Sequence, residues 1–301
     1  MKVTVTGGTG FIGRRLVGEW LSRGWEVQVL GRTPRPGLAQ EARFSIWDGL
    51  RGEPPVESLA EVDAVIHLAG EPVAQRWTPE AKRRIRASRV EGTHHLVQGL
   101  ARCTSRPAVL VSASAIGIYG SRGEEQLCES STPGSDFLAT TTLEWEQEAR
   151  QAESLGIRVV CLRIGLVLGR GGGALERMLP PFRMGIGGRL GSGRQWMSWI
   201  HIDDLIAMVQ FAVENASLRG SVNATAPAPV RNTEFTLALG RALRRPALFP
   251  VPEFAVRLLF GEMAGIVLGS QKVLPRTAEA AGFRFQHGEV GGALRNLLAA
   301  R

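Results

Sequence analysis

The chain has 301 residues, of which 44% are hydrophobic and 21% are charged, a composition typical of a globular protein and unlike that of a disordered or fibrous chain. Its net charge is +8, but the basic residues are mostly arginines scattered along the chain, with one dense cluster at 82–89, so we expect no nucleic-acid partner. No apolar run reaches the roughly 20 residues that cross a bilayer, the first predicted strand leaves no room for a signal peptide, and the three cysteines are widely spaced, so we expect a cytoplasmic protein without a membrane or metal site.

Strands and helices are predicted to alternate over the first 165 residues. Short, continuously apolar segments predict buried strands, and longer segments with helical periodicity predict helices. In chain order the pattern predicts strands at 2–6, 26–30, 43–47, 63–68, 108–113 and 158–164, and helices at 11–21, 79–102 and 138–155. This alternation indicates an α/β fold, a doubly wound parallel sheet of the Rossmann type with helices on both faces.

The pattern changes after residue 169, where glycine-dense and proline-rich segments interrupt the alternation. We predict a dinucleotide-binding domain over 1–169 that is completed by about 196–224. The segments 170–195 and 225–301 are predicted to form a smaller substrate-binding region.

The strongest motif is T-G-G-T-G-F-I-G at 6–13, which follows the first strand and opens the first helix. Glycines at this spacing permit a tight turn, close approach of the backbone to a pyrophosphate, and close packing of helix on strand. The N–H groups at the start of the helix then face the phosphates. The residues expected to bind the dinucleotide here are Gly7, Thr9, Gly10, Phe11, Ile12 and Gly13.

The end of the second strand discriminates between the two nicotinamide cofactors. It reads Gly31-Arg32-Thr33, without the acidic residue that would bind the free ribose hydroxyl of NAD. An arginine fork can pair with a 2′-phosphate, so the sequence favours NADP(H), although Arg32 can also be read as an exposed loop charge. Asp48 is a candidate for the adenine amino group or an ordinary turn residue. The small residues in Leu68-Ala69-Gly70 suit a ribose or pyrophosphate lying against the backbone.

Together these motifs resemble the extended short-chain dehydrogenase/reductase superfamily. H-L-A-G at 67–70, V-S-A-S at 111–114, Tyr119-Gly120 and H-I-D-D-L at 201–205 follow in that family's order. The run from 171 to 205 resembles an atypical subgroup, the epimerase-family proteins once described as cell-division-inhibitor-like. The resemblance covers nearly the whole chain. It implies a Rossmann domain that binds NADP(H) and a C-terminal substrate region, and it implies little about the substrate.

The catalytic pair of that superfamily, Tyr-x-x-x-Lys on the helix after the fifth strand, is absent. The only tyrosine is Tyr119, no lysine lies between residues 83 and 271, and the helix that should carry the pair reads F-L-A-T-T-T-L-E-W-E. Ser114, which ends the fifth strand, is a candidate catalytic residue or a strand-end cap. Tyr119 is the first candidate for an alternative proton donor, before the other titratable candidates Glu124, Glu125 and His201. His201 also fits a structural role before a helix.

Three arginines are candidates for contacts with the cofactor phosphates or an acidic substrate. Arg89 stands where the resemblance implies an asparagine near the active-site helix, Arg84 precedes it on the same helix, and Arg163 ends the sixth strand. Each can equally form a structural ion pair. The sequence therefore predicts an NADP(H)-binding, epimerase-like oxidoreductase of unknown substrate, monomeric or homodimeric, or a catalytically silent NADP(H)-binding regulatory protein. A nucleic-acid binder is the weakest of the three readings.

Overall fold

The computed structural model describes residues 1–34 and 41–299. Its strands are β1 (Lys2–Thr6), β2 (Glu26–Gly31), β3 (Arg43–Ile46), β4 (Ala64–His67), β5 (Val109–Ala115), β6 (Gln126–Leu127), β7 (Arg158–Ile164), β8 (Leu166–Leu168), β9 (Trp196–Met197), β10 (Trp199–His201), β11 (Gly220–Ala224), β12 (Val230–Arg231) and β13 (Lys272–Val273). Its helices are α1 (Phe11–Ser22), α2 (Pro79–Ala101), α3 (Phe137–Arg150), α4 (Gly173–Arg183), α5 (Ile202–Glu214), α6 (Asn232–Leu243), α7 (Glu253–Phe260), α8 (Ala264–Leu268), α9 (Arg276–Ala280) and α10 (Val290–Leu298).

Seven parallel strands form the central sheet, in the order β11-β7-β5-β4-β1-β2-β3. The strand order reverses direction at β1, and the chain winds outward from there on both sides. The predicted α/β fold class is thus confirmed. In such sheets, ligands bind beyond the carboxyl ends of the strands near the reversal, which here is the edge where β1, β4 and β5 end.

The sheet is the centre of the hydrophobic core. Val5 of β1, Ile66 of β4 and Val111 of β5 are fully buried, and the α1 side chains Leu16 and Trp20 pack into the same cluster. Burying an aliphatic side chain of this kind contributes roughly 1.5–3 kcal/mol. Strands buried on both faces explain why their sequences read as continuous apolar runs.

Helices α2 and α3 lie side by side against the sheet, and both begin with a side-chain cap. The Thr78 hydroxyl accepts a hydrogen bond from the Ala81 N–H, and the Asp136 carboxylate accepts one from the Ala139 N–H. Between the helices, Arg86 pairs with Glu144 at 2.7 Å. The basic cluster of α2 is therefore partly neutralised by acids within the same chain.

The C-terminal third packs around this sheet through short strands and one anchoring carboxylate. Strand β11 joins the central sheet, whereas β10 pairs with β8 in a separate two-stranded sheet. Buried Asp204 of α5 accepts hydrogen bonds from the backbone N–H groups of Gln286 (2.8 Å) and His287 (2.9 Å), which docks the segment before α10. Gly261, with φ of +57°, interrupts the apolar run after α7. Over the described part of the chain, the helices lack the combined length and hydropathy of a membrane span.

Candidate active site

The glycine loop between β1 and α1 is shaped by close backbone contacts. A Cβ atom on Gly7, whose φ is +69°, would lie 2.8 Å from the Ala69 backbone nitrogen, and a Cβ on Gly13 would lie 2.3 Å from the Gly7 carbonyl oxygen. Both positions therefore exclude any other residue. Gly10 differs, because a Cβ there would meet only the Gly7 oxygen, at 3.2 Å. The loop itself needs Gly7 and Gly13, whereas the space beside Gly10 is open.

The first turn of α1 presents free backbone donors at the end of this loop. Gly10 is the N-cap residue and supplies no capping side chain, and the first turn contains no acidic residue. The N–H groups of Phe11, Ile12 and Gly13 lie at the positive end of a 12-residue helix, where an anionic group is favoured. This arrangement suits a phosphate, as the motif predicted.

The Phe11 side chain connects the loop to the C-terminal region. Its ring lies against three glycines, and a Cβ on Gly169, Gly172 or Gly173 would approach it to 2.6, 2.7 and 2.9 Å, respectively. These glycines lead directly into α4. Phe11 is therefore a packing residue as well as part of the loop.

The end of β2 places Gly31, Arg32 and Thr33 beside the loop. The Gly7 N–H bonds to the Leu30 carbonyl at 3.3 Å, and Arg32 is exposed. Asp48, in the turn after β3, accepts a hydrogen bond from the Leu50 N–H and pairs with Arg51 at 3.4 Å. Its contacts in the structure are those of a turn residue, and an adenine contact stays a prediction.

Leu68, Ala69 and Gly70 follow β4 and form the opposite wall of the loop. The preceding residue, His67, is fully buried, and its ring nitrogens form hydrogen bonds with the hydroxyls of Thr6 (2.7 Å) and Thr93 (2.9 Å). The Ala69 N–H donates to the Thr6 hydroxyl at 3.2 Å. Burial, and secondarily the charge of Arg89, lowers the pKa of His67 to about 4, so the imidazole is neutral at physiological pH.

Arg84 and Arg89 lie on α2 near the same strand end but have different surroundings. Arg84 is exposed, lies 3.7 Å from the Glu71 carboxylate and bonds to Gln75. Arg89 lies next to Gly70, stacks on the Trp145 ring at 5.2 Å, and donates from Nη1 to the carbonyls of Glu71 and Ile85. Of the two, Arg89 is the one fixed against the cleft wall.

Ser114, the candidate catalytic residue or strand-end cap at the end of β5, is hydrogen-bonded inside the protein. Its side chain is buried at 3% exposure, and its hydroxyl donates to the Glu146 carboxylate at 2.6 Å. Glu146 lies on α3 and is itself buried. Because its proton is directed to Glu146, the Ser114 hydroxyl is not available to donate to a substrate oxygen.

Tyr119 and Arg163 belong to the same buried network. The Tyr119 ring is fully buried, and its hydroxyl donates to Asn223 (2.7 Å) and accepts from Arg163 Nη1 (2.9 Å). Burial raises the pKa of Tyr119 to about 12, which makes it a poor proton donor. Arg163 holds Glu146 through two donors and the Glu129 carbonyl through a third, so its guanidinium is used inside the protein rather than in the cleft.

The other titratable candidates also have structural partners. Glu124 accepts from Arg231 and from the Trp196 indole, and Glu125 pairs with Arg122. His201 caps α5, because its Nδ1 accepts from the Asp203 N–H, and its ring stacks on His287 at 3.8 Å. His201, Asp203 and His287 bring ligand atoms within 4.8 Å of one another, but the stacked rings and the capping bond account for their arrangement.

Two features of the site were not predicted from the sequence. One is Glu146, which organises the network behind β5. The sequence indicates only indirectly that such a carboxylate is present, because an arginine at the end of a buried strand needs a carboxylate partner. Trp145, which supports Arg89, lies on the buried face of α3 at 5% exposure, and its position follows only from the way α2 and α3 pack.

Two protein-family models match this chain. A model described as the NAD dependent epimerase/dehydratase family matches residues 3–224, and a domain of unknown function, DUF1731, matches residues 251–297. Epimerase family protein YfhF of Bacillus subtilis (strain 168) is 38% identical over 100% of this chain and 99% of its own length. A chloroplastic epimerase family protein SDR39U1 homolog of Arabidopsis thaliana is 43% identical over 99% of this chain and 87% of its own length.

Solved structures of epimerase proteins also match this chain. The crystal structure of human epimerase family protein SDR39U1 (isoform 2) with NADPH superposes with a TM-score of 0.89 at 35% identity, covering 100% of both chains. A nucleoside-diphosphate sugar epimerase from Corynebacterium glutamicum is 34% identical with a TM-score of 0.79, and the match covers 99% of this chain and 58% of that one.

Proposed function

Since the chain belongs to the NAD dependent epimerase/dehydratase family, within its epimerase family proteins, we propose that it binds NADP(H) at the carboxyl end of the sheet. The human relative crystallised with NADPH supports this choice of cofactor. We further propose that residues 1–169, with about 196–224, carry the dinucleotide site and that 170–195 and 225–301 carry the substrate region.

One observation carries the proposal. Helix α1 begins without a capping side chain, and the loop before it has glycines packed closely against neighbouring backbone atoms. Gly7, Thr9, Gly10, Phe11, Ile12 and Gly13 would surround the pyrophosphate. Leu68, Ala69 and Gly70 would lie against the ribose on the nicotinamide side. The open space beside Gly10 is the feature of this loop that a ligand, and not the protein, would fill.

Selectivity for NADP(H) is proposed to come from the end of β2. Arg32 is exposed there, with Gly31 and Thr33 on either side, and the sequence has no acidic residue between Val27 and Gln40. A guanidinium fork favours a 2′-phosphate, whereas a carboxylate at this point would favour the ribose hydroxyl of NAD. A charge-assisted phosphate contact contributes roughly 1.5–3 kcal/mol.

The bound nicotinamide would supply or accept a hydride. The side chains of this protein would bind and orient the cofactor, but Tyr-x-x-x-Lys is absent and both Ser114 and Tyr119 are bonded inside the Glu146 network. This observation favours a second candidate function, a protein that binds NADP(H) without turnover and reports on its level. A reductase of this chain would need a proton from water or from the substrate itself.

The cofactor proposal is tested by isothermal titration with NADPH and NADH. We expect NADPH to bind at least about tenfold more tightly, and Arg32→Ala to remove most of that preference. Arg23→Ala, at the far end of α1 where Arg23 pairs with Glu19, is the matched control and should leave both affinities unchanged. Equal affinities for the two cofactors in the wild-type protein would contradict the proposal.

Turnover separates the two candidate functions. We expect no measurable oxidation or reduction of simple alcohols, ketones or UDP-sugars, because general acid–base assistance worth roughly 10²–10⁴-fold is missing. Slow NADPH oxidation with any member of a carbonyl panel, dependent on the intact glycine loop, would favour the reductase. Tight NADPH binding without oxidation of any of them would favour the silent protein.

A further inference from the structure

The Arg89 guanidinium is held in place but only partly used. Its Nη1 donates to the Glu71 carbonyl at 3.0 Å and to the Ile85 carbonyl at 3.1 Å, and its guanidinium carbon lies 5.2 Å from the Trp145 ring centroid. Within residues 1–34 and 41–299, Nε and Nη2 have no acceptor. Donors on two of the three guanidinium nitrogens are therefore left for another molecule.

The charge of Arg89 also lacks a direct counterion. No carboxylate of the described residues lies within 4.0 Å of it, although Glu71 is close enough to act at longer range. Burial lowers the pKa of Arg89 to about 10, and the side chain stays charged at neutral pH. Arg89 is half-buried, and a cation partly removed from water without a paired anion is costly unless a ligand completes it.

A second donor lies beside it. The indole N–H of Trp145 is buried, with the residue only 5% exposed, and it has no hydrogen-bond acceptor in the described chain. Buried donors are nearly always satisfied in folded proteins. Because this nitrogen is closed to solvent, Trp145 supports the guanidinium through its ring, and it is the two open nitrogens of Arg89 that require a partner with oxygen acceptors.

The position of Arg89 and Trp145 indicates at which end of the cleft a ligand would contact them. Arg89 lies against Gly70, where a Cβ would be 3.4 Å from the guanidinium carbon, and Gly70 follows β4. Strand β4 lies between β1, which carries the glycine loop, and β5. Trp145 lies on α3, the helix that lacks the tyrosine and the lysine. The pair therefore lies on the nicotinamide side of the proposed pyrophosphate position.

We propose that Arg89, supported by Trp145, binds the oxygen atoms at the nicotinamide end of the cleft and supplies there the cation that the absent lysine would have supplied. The proposal rests on the proposed NADP(H) site. The acceptor oxygens belong either to the nicotinamide ribose of the cofactor or to an anionic second molecule, such as a carboxylate, bound next to it. Arg89 is a binding and orienting residue in both cases.

The test compares ligands that contain or lack the nicotinamide half. Titrations with NADPH and with adenosine 2′,5′-bisphosphate are carried out on the wild type, Arg89→Gln, Arg89→Lys and Trp145→Phe. If the cofactor ribose is the partner, Arg89→Gln weakens NADPH roughly tenfold or more and leaves the bisphosphate unchanged. Arg89→Lys should recover part of the affinity, and Trp145→Phe should lose less than Arg89→Gln.

If a second molecule is the partner, NADPH affinity is unchanged in Arg89→Gln, and binding of oxalate or inorganic phosphate to the NADP⁺-saturated wild type is lost in the variant. Arg86→Gln is the matched control, since Arg86 lies on the same helix and pairs with Glu144. Unchanged binding of all probes in Arg89→Gln, or equal loss of NADPH and bisphosphate, would overturn the inference. Failure of the wild type to bind either nucleotide would instead overturn the proposed cofactor site.

Discussion

Arg163 and Glu146 form a two-point ion pair in which Nε donates to Oε1 at 2.8 Å and Nη2 donates to Oε2 at 3.0 Å. Both side chains are nearly inaccessible, at 7% and 3% exposure. The pair lies beside Ser114, near the end of β5. Its neighbours Ser114 and Ser221 donate to the same carboxylate.

Removing one member of this pair is expected to be strongly destabilising. Glu146→Ala leaves the Arg163 charge buried without a partner, and the free energy of unfolding should fall by about 3–5 kcal/mol. Urea denaturation measures the change. Glu144→Ala, two residues away on α3 and paired with Arg86 at the surface, should cost about 1 kcal/mol or less. Similar losses in both variants would contradict the role assigned to the buried pair.

The same pair predicts an acid limit. Burial opposes ionisation of Glu146, but the hydrogen bonds and charge of Arg163 hold the pKa of its carboxyl below the ordinary value. A carboxyl with a lowered folded-state pKa stabilises the protein above the unfolded-state pKa and loses that contribution as the pH falls through the folded value. The unfolding free energy of the wild type should therefore decline below about pH 4 more steeply than that of Glu146→Gln. Parallel curves would contradict this.

The single tyrosine can be titrated directly. Because burial raises the pKa of Tyr119 to about 12, absorbance at 295 nm should show almost no phenolate in the native protein at pH 10, where a free phenol is about half ionised. The raised value also means that stability falls as the pH rises from about 10, the unfolded-state pKa, towards 12. A native protein that ionises near pH 10 would show that the phenol is open to solvent.

Tyr119→Phe tests whether this residue has a role beyond the network. The change leaves Asn223 Oδ1 and one Arg163 donor without a partner and should lower the unfolding free energy by about 1–3 kcal/mol. Affinity for NADPH, measured by titration, should not change. A selective loss of turnover on any substrate, with stability preserved, would show that Tyr119 acts in catalysis.

The glycine loop offers a matched pair of variants. Gly10→Val should fold with native circular dichroism and bind no NADPH, since its side chain would extend into the open space beside the loop. Gly13→Ala should lose stability even without ligand, because its Cβ would collide with the Gly7 carbonyl oxygen. If Gly10→Val bound NADPH normally, the loop would be structural alone.

His67 predicts a second dependence on pH. Its pKa is lowered to about 4 in the folded protein, against about 6.5 when unfolded, so the wild type should lose up to about 3 kcal/mol of unfolding free energy between pH 6.5 and 4. His67→Gln keeps a donor and an acceptor but removes the titration. The difference between the two stability curves, followed by denaturation at several pH values, should shrink as the pH falls.

The sheet could be predicted from the sequence because its strands are short apolar runs between turn residues. The bounds predicted for β1 and β7 agree with the structure, and the glycine loop has its predicted place between strand and helix. These features depend on neighbouring residues only. The predicted helix at 138–155 is an α-helix only over 137–150 and continues as a 3-10 helix, a distinction that depends on hydrogen bonding rather than on apolar spacing.

The catalytic candidates could not be judged in this way. Ser114 and Arg163 pair in register between β5 and β7, and α3 brings Glu146 over both. The local sequence around Ser114 or Tyr119 does not indicate that a carboxylate from another element accepts a hydrogen bond from the serine hydroxyl. The direction of a side chain at the end of a strand is decided by long-range packing, which composition and spacing do not contain.

The contact between Phe11 and the glycines before α4 also restricts how this protein can vary. One aromatic ring restricts which residues are permitted at 169, 172 and 173, more than 150 positions away, together with Ile202 beside Gly169 and the positive φ of Gly173. An alanine at 172 becomes acceptable only if the ring at 11 shrinks, and a smaller residue at 11 leaves a void unless a glycine is replaced. Substitutions in the two segments should therefore occur together among relatives. A chimera that joins the loop of one relative to the α4 segment of another is expected to fold well only when both halves of this contact come from the same parent.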